Sequence, residues 1–159
     1  IDEETGMTGA LNLKPGFLKG EILLNLDTEE DDEIDIGCAG GLDVTALRTY
    51  ETEPVSEDAL GYRIVVRGLS GGHSGMDIDK GLGNANKIMN RLLSGGFEAF
   101  GLQIASVEGG GLRNAIPRES HAEVIIAAMY RDAFEPEMNA KIAEIKRELA
   151  RTEPNLVIE

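Results

Sequence analysis

The chain has 159 residues, 42% of them hydrophobic, which is enough for one domain or for a small domain plus part of another. Its net charge of −14 is concentrated in residues 1–41, where eleven acidic residues stand against two basic ones. This acidity argues against binding to nucleic acid and against attraction to an anionic membrane surface. Cys38 is the one cysteine, so no intrachain disulfide can form, which fits a reducing compartment.

The first 40 residues are predicted to be a piece of a mostly parallel sheet with its connecting loops. The apolar run at residues 21–26 is typical of a buried strand and is followed by the carboxylate of Asp27. Residues that bind ligands often lie at the carboxyl ends of such strands. The acidic run that follows is interpreted as a solvated loop. Gly40 and Gly41 are interpreted as the boundary between domain 1–40 and domain 41–159.

The second of these domains alternates between predicted strands and helices. Strands are predicted at 42–50, 61–68, 101–108 and 119–129, and another begins at residue 156. A helix after residue 82 has apolar residues at helical spacing and is predicted to stop at Gly95 and Gly96. A last helix is predicted to have Pro136 at its first position and to be closed by Pro154.

From residue 61 the predicted order of elements is β-α-β-β-α-β. This order is typical of the split βαβ arrangement, in which two helices cover one face of an antiparallel sheet. The fold class is therefore predicted to be α/β (α+β), a ferredoxin-like two-layer sandwich, with residues 42–50 as an extra strand.

Two adjacent carboxylates near the start of the chain, Glu3 and Glu4, are a candidate hydrolytic pair. Neighbouring residues in a strand or turn point in different directions, so one could bind a metal while the other takes a proton from water. Asp27 could supply a second metal ligand from a neighbouring strand. The alternative interpretation is a solvated acidic turn.

Two glycine-rich segments each carry polar side chains. Residues 70–75 contain His73, and residues 109–119 contain Arg113 and Asn114. Glycine allows positive φ angles and a close approach of the backbone to a ligand, at an entropic cost. His73 is a candidate hydrogen-bond donor to a substrate carbonyl or oxyanion. Arg113 and Asn114 are candidates for contacting a substrate carbonyl or carboxylate. The alternatives are a surface histidine and a turn-capping asparagine.

Several segments together resemble the aminoacyl-histidine dipeptidases, which belong to the wider di-zinc exopeptidase group. The matching motifs run in order over nearly the whole chain: Asp-Glu-Glu-Thr-Gly-Met-x-Gly-Ala, Leu-Asn-Leu-Asp-Thr-Glu-Glu, Gly-Cys-Ala-Gly-Gly, Gly-Gly-His-Ser-Gly, Gly-Leu-Gly-Asn-Ala-Asn-Lys and Leu-Arg-Asn-Ala-Ile-Pro-Arg-Glu. The resemblance implies a cytoplasmic, zinc-dependent dipeptidase that hydrolyses Xaa-His dipeptides. It also implies a homodimer formed through a lid domain.

The same resemblance implies roles for individual residues. Glu3 corresponds to the general base that activates the water between two zinc ions, and Glu4 and Asp27 correspond to zinc ligands, one for each metal. His73 corresponds to the lid histidine that polarises the scissile carbonyl, often in the active site of a partner subunit. Asn114 corresponds to a lid residue that helps to hold the substrate.

The chain also departs from the pattern of this family, because the His-x-Asp pair, the bridging Asp and the late His of the zinc site are absent from it. We therefore expect a fragment, in which residues 1–40 are part of the catalytic domain and residues 41–159 are the first part of the lid, or dimerisation, domain. With two ligands where zinc usually has three or four, the fragment alone is expected to be inactive.

Three alternatives to the dipeptidase remain open from the sequence. The first is another di-zinc exopeptidase, such as a tripeptidase or an N-acyl amino acid hydrolase. The second is a non-catalytic lid and dimerisation module, and the third is a non-catalytic acidic binding protein.

Overall fold

The computed structural model describes residues 7–24, 26, 32–34, 36–37, 42 and 44–159. It consists of two compact units, Ile1–Glu53 and Pro54–Glu159. The predicted boundary at Gly40 and Gly41 falls within the first unit and stays a prediction about the domains of the full-length protein.

Among the described residues of the first unit, every side chain is exposed and the regular structure is a single short helix, α1 (Thr8–Leu11). Residues 21–24 and 44–50 are irregular. The strands predicted at 21–26 and 42–50 are therefore wrong for these residues. A strand is stabilised by a paired neighbour and by burial of one or both faces. The described part of this unit supplies neither.

The second unit is a ferredoxin-like α+β sandwich, as the order of elements predicts. Its elements are β1 (Ala59–Arg67), α2 (Ala85–Phe100), β2 (Gln103–Gly109), β3 (Ser120–Ala127), α3 (Arg131–Leu149) and β4 (Val157–Ile158). The strands form one sheet in the order β2-β3-β1-β4, with all neighbours antiparallel. The first three strands differ from their predicted ranges by one or two residues at each end.

One hydrophobic core lies between the helices and the sheet. Alternate residues of β1 and β3 point inward, and both helices contribute one apolar face. The buried members include Ile64, Val66, Ala122, Val124, Ile126, Ile88, Met89, Leu92, Phe134, Met138 and Ile145. With no tryptophan in the chain, the aromatic contacts join phenylalanine and tyrosine. The ring centroid of Phe134 lies 4.8 Å from that of Tyr62 and 5.4 Å from that of Phe100, and Phe100 also lies 5.6 Å from Tyr130.

The predicted end of α2 at Gly95 and Gly96 is wrong, because the helix continues for four more residues after Gly96. Gly96 is buried against Leu102, and a Cβ at this position would lie 2.6 Å from the Leu102 Cδ1 atom. Glycine is therefore used here for close packing. The helix ends where Gly101 adopts a φ of 63°, the left-handed conformation that glycine favours at helix ends.

The predicted start of α3 is also wrong, because Pro136 lies inside the helix instead of at its first position. Proline lacks the N–H that would bond to the carbonyl of Asp132 one turn earlier. The buried side chains of Phe134 and Met138 lie on either side of Pro136 and anchor this part of the helix to the core. Tertiary packing therefore outweighs the local preference of proline for a helix start. Within the described residues, no helix is both long and apolar enough to cross a membrane.

Candidate functional site

The two glycine-rich segments lie against each other in the structure. We call residues 68–84 the histidine loop, because it connects β1 to α2 and contains His73. Residues 110–119 are the asparagine loop, because they connect β2 to β3 and contain Asn114. His73 pairs with Ala115 in an antiparallel bridge. Two backbone hydrogen bonds of 2.8 Å flank this pair, from Ser74 N to Asn114 O and from Ile116 N to Gly72 O.

The imidazole of His73 is held by its own loop. Its Nδ1 atom accepts hydrogen bonds from the backbone N–H groups of Gly75, at 3.1 Å, and Met76, at 3.2 Å. An accepting Nδ1 carries no proton, so the proton of the neutral ring is on Nε2. The side chain is exposed. His73 therefore presents Nε2–H as a hydrogen-bond donor on the surface of the histidine loop.

Asp77 fixes the backbone that carries this imidazole. One carboxylate oxygen, Oδ2, accepts the His73 N–H at 2.6 Å, and the other pairs with the ammonium group of Lys80. The hydrogen bond from Lys80, and next the one from the His73 backbone, hold the pKa of Asp77 below its usual value. Gly72 has to be small here, because a Cβ would lie 2.8 Å from Oδ2 of Asp77.

Replacing Lys80 with methionine is expected to raise the pKa of Asp77 toward its ordinary value of 3.8. Because the folded pKa is lowered, the stability that ionised Asp77 contributes is present at neutral pH. It is lost as the pH falls below about 4, through the folded pKa. A carbon-detected NMR titration of the Asp77 carboxyl measures the change, with Lys87→Met, an exposed lysine of α2, as the control. An identical Asp77 titration in wild type and Lys80→Met would contradict this assignment.

The asparagine loop is tied both to the histidine loop and to α2. The side chain of Arg118 lies across Gly71, which has a φ of 67°, and donates from Nε to the carbonyl of Leu69 at 3.3 Å. The N–H of Ala85, at the start of α2, donates to the carbonyl of Pro117 at 2.9 Å. The two loops therefore form one hydrogen-bonded surface that rests on a helix of the sandwich.

The predicted substrate-binding residues Arg113 and Asn114 lie on this surface. Arg113 is exposed, and Asn114 is half-buried next to the backbone partner of His73. An open groove of about 540 Å³ runs beside them and is lined by residues 108–112, 115–119 and 121. Inside it His121 Nε2 lies 3.4 Å from Oε2 of Glu108 on the neighbouring strand. The structure thus brings three predicted residues, His73, Arg113 and Asn114, onto two adjoining loops.

The other three predicted residues, Glu3, Glu4 and Asp27, lie outside the described residues. In the part of the chain that the structure describes, no group of three or more His, Cys, Asp or Glu residues could hold a metal ion. The catalytic base and the metal ligands therefore stay predictions from the sequence.

Two residues that support the site were missed by the sequence analysis. Asp77 lies four residues after His73, close enough in sequence to be considered as a cap for the loop. Glu153 hydrogen-bonds to Ser70 although it is 83 residues away, and nothing in its local sequence marks it. Long-range contacts of this kind require the folded structure.

Comparison with known proteins shows to which family this chain belongs. Residues 64–156, more than half of the chain, match the M20 peptidase dimerisation domain. The chain is 43% identical over 158 residues to the cytosol non-specific dipeptidase of Escherichia coli K12, covering 99% of this chain and 33% of that protein. It therefore spans about a third of the length of this curated relative.

Several solved structures have similar folds, and two of them illustrate the range of similarity. One is aminoacylhistidine dipeptidase from Vibrio alginolyticus, with a TM-score of 0.74, 40% identity, and coverage of 100% of this chain and 32% of that one. The other is a putative amidohydrolase/peptidase from Burkholderia cenocepacia, with a TM-score of 0.51 and 16% identity over 64% of this chain and 26% of that one. The second likeness concerns the fold alone. The resemblance to aminoacyl-histidine dipeptidases is confirmed, and the chain belongs to the M20 peptidase dimerisation-domain family.

Proposed function

We propose that the full-length protein containing this chain is a cytoplasmic, zinc-dependent dipeptidase that hydrolyses Xaa-His dipeptides. The similarity to a cytosol non-specific dipeptidase and to an aminoacylhistidine dipeptidase supports this proposal. The observation that carries it is the fixed tautomer of His73, whose Nδ1 accepts two backbone N–H groups and leaves Nε2–H to donate.

In the proposed mechanism the two loops bind the substrate and stabilise developing charge. His73 donates from Nε2 to the oxygen of the scissile carbonyl, which becomes negatively charged as water attacks. Asn114 hydrogen-bonds the substrate, and Arg113 pairs with its terminal carboxylate. Because the backbone bonds between the loops fix His73 and Asn114 relative to each other, little reorganisation is needed when the charge develops.

The proposed catalytic domain, residues 1–40, contributes the acidic residues. Glu3 takes a proton from the attacking water and returns it to the leaving amine. Glu4 and Asp27 would each hold one of two zinc ions, with the remaining ligands supplied by the rest of the full-length protein. When bound, zinc polarises the water and the carbonyl. Residues 41–159 are proposed to be the first part of the lid.

A substrate panel tests this assignment. Full-length protein is assayed with carnosine-like Xaa-His dipeptides, other dipeptides, a tripeptide and an N-acyl amino acid. The proposal expects kcat/KM to be highest for Xaa-His dipeptides. Preference for the tripeptide or the N-acyl amino acid would instead favour another exopeptidase of the same group, and turnover of none of them would favour a non-catalytic module.

We also propose that the lid forms a homodimer through the edge of strand β2. This strand is at one end of the sheet order, so its outer edge has no paired strand among the described residues. Phe97, Ile104 and Val107 are exposed beside this edge by 66%, 52% and 52%. An unpaired strand edge flanked by apolar side chains favours association with a second sheet edge.

Replacing Ile104 with glutamate is expected to weaken the dimer at least tenfold, because a charge would be placed at an apolar interface. Size-exclusion chromatography with light scattering, over a range of protein concentrations, measures the dissociation. Ala143→Glu places the same charge on an exposed position of α3 and should leave the dimer intact. A folded Ile104→Glu variant that dimerises like the wild type would overturn this interface.

A further inference from the structure

A buried carboxylate, that of Glu153, joins the two ends of the histidine loop. Glu153 follows α3 and is only 2% exposed. Its Oε2 accepts hydrogen bonds from the Ser70 N–H at 2.7 Å and the Ser70 hydroxyl at 2.9 Å. Its Oε1 accepts the Gly83 N–H at 2.7 Å. Ser70 lies near the start of the loop and Gly83 near its end, so one side chain closes the loop.

The carboxylate is itself held tightly. The Glu153 N–H donates to the carbonyl of Leu149, the last residue of α3, at 2.8 Å. At Gly83 a Cβ would lie 2.6 Å from Cδ2 of Leu69 and 3.1 Å from Cγ of Glu153, so the loop passes against the carboxylate without room for a side chain. The helix α3 therefore fixes the position at which both loop ends are bound.

We propose that Glu153 is a positioning residue for His73, an inference that rests on the function proposed for that histidine. Its side-chain hydrogen bonds go to Ser70 and Gly83, both in the loop that carries the imidazole. With these bonds lost, the loop ends can move and Nε2 is no longer held at the distance that charge stabilisation requires. Displacements of about 1 Å in such sites lower rates strongly. Glu153 acts through the loop and makes no contact with substrate in this account.

Glu153→Gln in the full-length protein tests this inference. The carboxamide has nearly the same size, but its single acceptor oxygen cannot bind both loop ends, and its NH₂ group would face a backbone N–H. We expect kcat to fall about tenfold and KM to change less than about twofold. Glu148→Gln is the control, because it removes an exposed carboxylate of α3 that pairs with Arg91 outside the loop.

A double-mutant cycle with His73→Ala separates positioning from a general structural role. If Glu153 acts through His73, Glu153→Gln lowers kcat in the wild-type background and has no further effect in the His73→Ala background. An equal fall in both backgrounds would overturn the inference, and so would an unchanged kcat in the single variant. A His73→Ala variant with normal kcat would instead overturn the proposed function, and the inference with it.

Ser70→Ala keeps the inference testable if Glu153→Gln fails to fold. This change removes one of the three hydrogen bonds and leaves both backbone bonds in place. We expect a fall in kcat of about threefold, again absent in the His73→Ala background. Amide hydrogen exchange at residues 71–82 should quicken in Ser70→Ala, and unchanged exchange together with unchanged kcat in this variant would refute the proposed role.

Discussion

Replacing His73 with alanine in the full-length protein is expected to lower kcat by about 100- to 1,000-fold, the range found when one oxyanion donor is removed. KM should change by less than about threefold, because the donor acts on charge that develops only in the transition state. The structural reason is the fixed tautomer, in which two backbone N–H groups occupy Nδ1 and leave Nε2–H for the substrate.

Steady-state kinetics on an Xaa-His dipeptide measure this effect, with metal content determined for each variant. Asp79→Ala is the matched control, because Asp79 is exposed in the same loop and lies outside the hydrogen bonds that hold the imidazole. If His73→Ala had the wild-type kcat and full metal content, His73 would have no role in the proposed mechanism.

Replacing Gly68 with alanine is expected to reduce the free energy of unfolding by about 3 kcal/mol. Gly68 has a φ of 80°, a conformation that costs an L-residue about 1–2 kcal/mol. An added Cβ would also overlap the backbone carbonyl oxygen of Asn155, and such overpacking costs about 1–3 kcal/mol. Since the clash is with backbone, a side-chain rotation cannot relieve it.

Gly61→Ala is the matched control for this substitution. Gly61 lies within strand β1, which ends one residue before Gly68, and a Cβ there would have no neighbour within 4 Å. Urea unfolding followed by circular dichroism should therefore show a large loss of stability for Gly68→Ala and little or none for Gly61→Ala. Equal stability of the two variants would contradict the account of Gly68.

The elements of the second unit could be predicted because their hydrophobic patterns are local. The alternation along β3 and the apolar face of α2 follow directly from the periods of strands and helices. The errors arose where packing against the core or a neighbouring segment overrides local preference. Helix α2 continues through Gly96 because this glycine packs closely against Leu102. Pro136 lies inside α3 because Phe134, in the same helix, is buried in the core.

In the candidate site, too, the features that are local in sequence could be predicted and those that depend on the folded structure could not. His73, Arg113 and Asn114 could be found because glycine-rich segments favour a binding surface, and Gly71 and Gly110 do adopt positive φ angles of 67° and 69°. Their mutual placement could not be found, since the bridge between the two loops joins residues far apart in the chain. The closure of the histidine loop by Glu153 was equally hidden, because it depends on the end of α3.

The most direct test of the account is hydrolysis of an Xaa-His dipeptide by full-length protein that has been stripped of metal and then reloaded with zinc, beside the His73→Ala variant. We expect no turnover without metal, turnover restored by zinc, and a restored rate that is about 100- to 1,000-fold lower in the variant. Restored turnover at equal rates in both proteins, or no turnover of the dipeptide after zinc is restored, would contradict the account.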